Sequence, residues 1–172
     1  MSVAALLLLG LTGAVGLGMS FLEERLPPRA SAAGVAALLA VVAALAWGAG
    51  ESSDATVQVA TVLAVLAAVS GGGPVATGVL HAPAAVGVTG GPQDPEILRG
   101  GAWIGVLERA AIAGTLLAGW PEGLAVVFAV KGLGRFSELR ASSAAAERFI
   151  VGTLASALWA AACAGVAVLL RG

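Results

Sequence analysis

"GAWIGVLERAAIAGTLLAGWPEGLAVVFAVKGLGRFSELR", residues 101–140, reads as two apolar helices joined by a tight turn. The same stretch carries Glu108, Arg109, Lys131, Arg135 and Glu138, charges of the kind a low-dielectric surrounding penalises. In the turn "GWPEG", Pro121 suits the first turn of a new helix and Glu122 suits its positive end. Trp120 stands where amphipathic rings anchor at a membrane surface. Counted from the turn, Glu108 lies 12 residues before Trp120 and Lys131 lies 11 after it. At a rise of 1.5 Å per residue, both sit roughly 17 Å below the turn, and antiparallel neighbours bring them to matching depth. An ion pair between them is the expected way to neutralise both charges.

Composition sets the class in which this hairpin belongs. Of 172 residues, 59% are hydrophobic and 11% charged, less than half the charge of an ordinary soluble domain. The mean hydropathy is +0.98. Several apolar runs reach the roughly 18 residues a membrane crossing needs. The fold expected is therefore all-α, a polytopic membrane helix bundle of about six transmembrane helices in a single domain. A net charge of −1 offers nothing to nucleic acid, and the lipid bilayer is the first partner implied. The Ala, Gly and Arg bias fits a GC-rich bacterial genome, which places the chain in the cytoplasmic membrane of a bacterial cell.

Six spans follow from the chain: residues 3–22, 32–49, 55–70, 102–118, 122–139 and 146–170. Arg25 and Arg29 follow the first run instead of preceding it, which favours an uncleaved anchor with its N-terminus outside. "LPPR" makes a rigid connector, and Ser53 or Asp54 is the natural N-cap of the third span. "SGGGP", residues 70–74, is expected to end that span. Residues 74–90 then read as interfacial, re-entrant or spanning, and 82–100 as a cytoplasmic connector. With six spans, Arg25, Arg29, Arg99, Arg140 and Arg148 share one side, which the positive-inside rule makes cytoplasmic. Both termini then lie outside.

The polar residues of the last three spans form the candidate site. Leu124, Phe128, Lys131, Arg135 and Glu138 follow helical spacing, so Arg135 can pair with Glu138 and Lys131 with Glu108. Glu147 is placed to serve Arg135 from the last span. Arg109 and Arg148 are placed to join the inner-edge network or to snorkel toward headgroups. Gly152, Ser156, Ala160 and Ala164 recur every four residues, a small-residue stripe for close helix packing. Gly101 and Gly105, and Gly10, Gly13 and Gly16, make similar stripes.

"GAWIGVLERAAI", "AVKGLGRFSEL" and "AERFIVGTLAS" resemble the C-terminal half of an uncharacterised family of bacterial integral membrane proteins, a domain of unknown function. The resemblance covers about residues 100–160. It implies that the polar positions of the family fall at Glu108, Arg109, Lys131, Arg135, Glu138, Glu147, Gly152 and Thr153. It implies no activity.

Other chemistries have little to work with. Cys163 is the only cysteine and His81 the only histidine, too few for a multi-ligand Cys/His metal site or an intramolecular disulfide. Cys163 reads as a packing residue and His81 as an interfacial side chain. No phosphate-binding loop, H-E-x-x-H or G-x-S-x-G motif is present, so no catalytic residue, metal site or cofactor is assigned. A Ser156–Lys131 dyad is outweighed by the carboxylate partners available to Lys131. Two function classes remain. The one the sequence favours is a structural or assembly subunit that meets a membrane-protein partner or a second copy of itself. The other is a small oligomeric transporter or channel using the Glu108/Lys131 pair.

Overall fold

The computed structural model describes residues 1–22, 27–50, 52–81 and 95–171, with side chains from residue 103 onward in the last segment. Among the described residues every regular element is a helix: α1 (Ser2–Phe21), α2 (Pro28–Ala49), α3 (Asp54–Leu80), α4 (Pro95–Leu117), α5 (Gly123–Gly134), α6 (Phe136–Ala141) and α7 (Ser143–Leu169). Side chains close several of their ends. Ser53 caps α3 by accepting from the Thr56 N–H, and Ser142 caps α7 by accepting from the Ala145 N–H. Pro28 opens α2, where its missing N–H costs nothing. Gly119, with φ at +72°, lets the chain reverse between α4 and α5.

The all-helical class holds, and among the described residues four helices are long and apolar enough to cross a membrane: α1, α2, α3 and α7. The two arms of the charged hairpin differ from these. Glu108 and Arg109 interrupt the apolar character of α4, and α5 has 12 residues, about 18 Å of helix. The expected span 122–139 is broken at Arg135, whose φ of −118° separates α5 from α6.

α3 is the centre of the bundle, packed against α1, α2, α4 and α7. Its buried face is a seam of small residues, with Ala60, Ala64, Ala67, Ala68, Gly71, Gly72 and Gly78 all enclosed. Small side chains let helix backbones approach closely where lipid tails supply no hydrophobic drive. Leu9, Val35, Val42, Ile112 and Val166 fill the remaining space from the surrounding helices, and Cys163 is buried among them.

The expectation that "SGGGP" ends the third span is overturned: α3 runs through it to Leu80, with Pro74 fully buried inside the helix. Proline removes the N–H that would bond the Ser70 carbonyl, but neighbouring helices compensate such losses in membrane proteins. The Ala67 and Val69 carbonyls on the turn before it each take a donor from a neighbouring helix, Trp159 Nε1 of α7 at 3.1 Å and Arg109 Nε of α4 at 3.1 Å, which ties α3 to both without bonding the Ser70 carbonyl itself. The glycines are where those neighbours come closest. Residues 74–80 are thus helical, while 82–90 lie outside the described residues.

The helix ends gather in two sets. At one end the Ser52 N–H donates to the Leu170 carbonyl, Ser52 Oγ to Ser2 Oγ, and the Arg171 guanidinium to the Leu117 carbonyl. At the other, Arg29 Nε donates to the His81 carbonyl, and His81 Nδ1 lies 2.8 Å from the Thr77 carbonyl. Ser2, Ser52, Leu170, Arg171 and the 118–122 turn that follows Leu117 therefore share one end of the bundle.

Candidate functional site

The polar residues of α4, α5, α6 and α7 enclose a cleft of about 640 Å³. Each wall is a helical stripe with i, i+4 spacing, so one face of each helix supplies it. α4 contributes Ile104, Gly105, Glu108 and Arg109. Val130, Lys131 and Gly134 come from α5, with Arg135 and Glu138 just beyond it. α7 supplies Arg148, Phe149, Gly152, Thr153 and Ser156. Along α7, Arg148 to Ser156 spans eight residues, about 12 Å of helix. Arg148 and Glu138 are exposed at one end, and Ser156 is buried at the other.

Lys131 Nζ donates to Glu108 Oε2 at 2.5 Å, so the two charges counted to matching depth meet. The Lys131 ammonium also lies 5.4 Å from the centre of the Phe149 ring, a cation–π distance that ties α5 to α7. The Glu108 side chain is 5% exposed, and its second oxygen, Oε1, is buried with no hydrogen-bond partner among the described residues. Thr153 Oγ1 is likewise buried without a partner, on the α7 wall of the same cleft. Both oxygens retain hydrogen-bonding capacity that no described residue uses.

Arg109 does not reach headgroups, and its guanidinium turns inward instead. The residue is 7% exposed, and it donates through Nε to the Val69 carbonyl and through Nη1 to Ser156 Oγ at 3.5 Å. A β-carbon on Gly72 would collide with Arg109 Cδ and stand 2.7 Å from its Nε. Gly105, one turn back on α4, leaves room for Nη1. Gly105 therefore accommodates a side chain of its own helix, where a helix–helix contact was expected. Ser156 accepts from Arg109, and this is the contact that replaces the imagined approach to Lys131.

Arg135 pairs with Glu138 at 3.6 Å, both side chains well exposed. Glu147 forms no ion pair with Arg135: it is exposed on α7 and is not part of the cleft wall. Arg148, its neighbour, does line the cleft. Gly152 packs against Leu80 of α3, with Ser156 and Ala160 buried along the same stripe.

Three participants were not assigned to the site from the sequence. Phe149 was an ordinary apolar residue until Lys131 was placed over it. Trp159 carried no assignment, and the α3 glycines, expected to end the third span, are contact partners of it and of Arg109. Only their coincidence in space identifies them. No family model matches the chain, nor does any curated protein or solved structure.

Proposed function

We propose that the chain is a multi-pass protein of the bacterial cell membrane that handles a polar molecule in this cleft, as a small transporter or channel working as an oligomer. In this reading α4 crosses, and α5 with α6 completes a further crossing, beside the four long apolar helices, which gives six spans. The chain would join the uncharacterised family that residues 100–160 resemble. The Arg29, Arg140 and Arg148 end would face the cytoplasm, as the positive-inside rule requires.

The observation that carries the reading is Glu108 Oε1, a carboxylate oxygen buried at a cleft wall without a partner among the described residues. A carboxylate serving only as a structural counter-ion gains by having both oxygens bonded, because an unmade bond in a low dielectric is costly. Ionisable groups within membrane helices mark pathways and relays for the same reason.

A second reading, an assembly subunit that meets a membrane-protein partner, is favoured by α5. Of its residues only Gly123 is buried, and Val126, Val130 and Leu133 are exposed on a helix that packs mainly on α4. One experiment separates the two readings: proton and ion flux in vesicles reconstituted with wild type and Lys131→Arg, with recovery of partners in mild detergent measured in parallel. Lys131 is the sole lysine, and its compact ammonium differs in size and shape from the planar guanidinium fork of arginine. Flux in wild type that is lost in a folded Lys131→Arg protein supports the transport reading. A flux-free protein that recovers a stoichiometric partner replaces it with assembly.

A further inference from the structure

We infer that the cleft takes a hydroxyl-bearing amphiphile that enters sideways from the bilayer, between α5 and α7. This rests on the reading of the cleft as a binding site and adds the chemistry and the route of its occupant.

The route follows from how loosely α5 is held. It packs on α4, and its contact with α7 is slight. Among the described residues, the side-chain tie between α5 and α7 is the Lys131 ammonium over the Phe149 ring. Ile104 and Val130 line the cleft and are also 49% and 68% exposed, so its apolar rim lies on the outer surface of the bundle. At the depth of a membrane helix that surface meets hydrocarbon, and an acyl chain can rest there without displacing a helix. The inner end of the cleft is closed. Ser156 is buried, and one turn further along α4 and α7 so are Ile112 and Trp159.

The buried oxygens give the chemistry. Glu108 Oε1 and Thr153 Oγ1 are sealed from solvent and have no hydrogen-bond partner among the described residues. A ligand reaches them when a wall beside them moves, and α5 is the wall held least. An ionised carboxylate oxygen only accepts, so the missing partner of Oε1 is a donor. A hydroxyl suits the place better than an ammonium. It donates to Oε1 and still accepts from Lys131, whose ammonium has three N–H donors and spends one on Glu108. An ammonium offers Lys131 no lone pair and competes with it for the same carboxylate. Thr153, which can donate or accept, suits a hydroxyl as well. A neutral molecule makes all of these contacts, and the cleft volume is within the range of small-molecule sites.

The test is binding to the full chain in nanodiscs of phosphatidylcholine, a lipid without O–H or N–H donors, read by thermal stabilisation across a titration. The probes are a 1,2-diacylglycerol, its O-methyl ether and glycerol. The first two are uncharged, share their acyl chains and differ by one O–H, while glycerol has the hydroxyls without the chains. The diacylglycerol is expected to bind about tenfold or more tightly than its ether, the weight of a hydrogen bond to a charged group. Thr153→Val should weaken diacylglycerol binding about fivefold without lowering the melting temperature, because the hydroxyl it removes has no partner among the described residues. Thr153→Ser should bind as wild type, and so should Thr61→Val, whose lost hydroxyl bonds its own helix at the Val57 carbonyl. A diacylglycerol with a photoreactive acyl chain should label the rim at Ile104 and Val130 above the level on α1 and α2. Equal binding of the diacylglycerol and its ether, glycerol binding as tightly as the diacylglycerol, equal effects of Thr61→Val and Thr153→Val, or even labelling of all helices overturns the inference. Selective binding without flux removes the transport reading alone, and flux without this selectivity removes the amphiphile inference alone.

Discussion

The indole of Trp159 occupies the space that a β-carbon on Gly71 would need, and the same ring donates Nε1–H to the Ala67 carbonyl one turn away. On the opposite side, a β-carbon on Gly16 of α1 would stand 2.7 Å from Gly71 Cα. Helices α1, α3 and α7 therefore meet at Gly71 with no room for a methyl group. Arg109 uses the next residue, Gly72, in the same way. One glycine run, followed by a proline, thus seats three neighbouring helices.

Glycine-to-alanine changes should divide by position. Gly16→Ala and Gly71→Ala meet backbone and a buried ring, and each should destabilise by about 1–3 kcal/mol, the usual cost of overpacking. Gly72→Ala meets a longer side chain and should also displace Arg109 from Val69. Gly34→Ala and Gly165→Ala have open space around them and should be neutral or stabilising by up to about 1 kcal/mol. Reversible unfolding in mixed micelles measures the series. Equal losses at Gly71 and Gly165 would contradict the packing described.

Trp159→Phe keeps most of the ring but loses the donor to Ala67. The expected loss is about 1 kcal/mol, the net worth of one such hydrogen bond, or somewhat more because the Ala67 carbonyl stays buried. Trp159→Ala should cost about 3–5 kcal/mol, since it also opens a cavity against α3. Near-identical unfolding of Trp159→Phe and wild type would mean that the bond carries no net stability.

Removing one member of the Glu108–Lys131 pair leaves a charge buried alone. In a fully buried pair that costs about 3–5 kcal/mol, and water reaching the cleft reduces it. Glu108→Gln and Lys131→Gln should each lower the detergent melting temperature, and exchanging the two residues should restore part of the loss. Unchanged melting in both single variants would separate the ion pair from stability.

Labelling tests the orientation. In a Cys163→Ala background, Ser52→Cys and Ser142→Cys lie at opposite ends of the proposed topology. An impermeant thiol reagent applied to intact cells should reach Ser52→Cys and spare Ser142→Cys. Equal labelling of both would sink the six-span arrangement.

Local chemistry made part of this legible in the chain itself. Apolar runs with few charges give helices of membrane length, because a backbone in hydrocarbon must bond to itself. The caps at Ser53 and Ser142 and the reversal at Gly119 are set by residues within a few positions of one another. The Glu108–Lys131 contact was legible too, since a tight turn and a fixed rise per residue determine depth on both arms. Other features depended on what lies across the bundle. The glycines and proline of α3 weaken an isolated helix, but here the helix continues through them, packed so closely that Trp159 and Arg109 take the space a side chain would need. Arg109 could have turned to headgroups or inward, and the Val69 carbonyl, 40 residues away, made the choice. Glu147 and Arg148 are adjacent and both charged, and only the rotation of α7 puts one in the cleft and the other outside it. Periodicity tells which residues share a helix face, but the neighbours decide which way that face points.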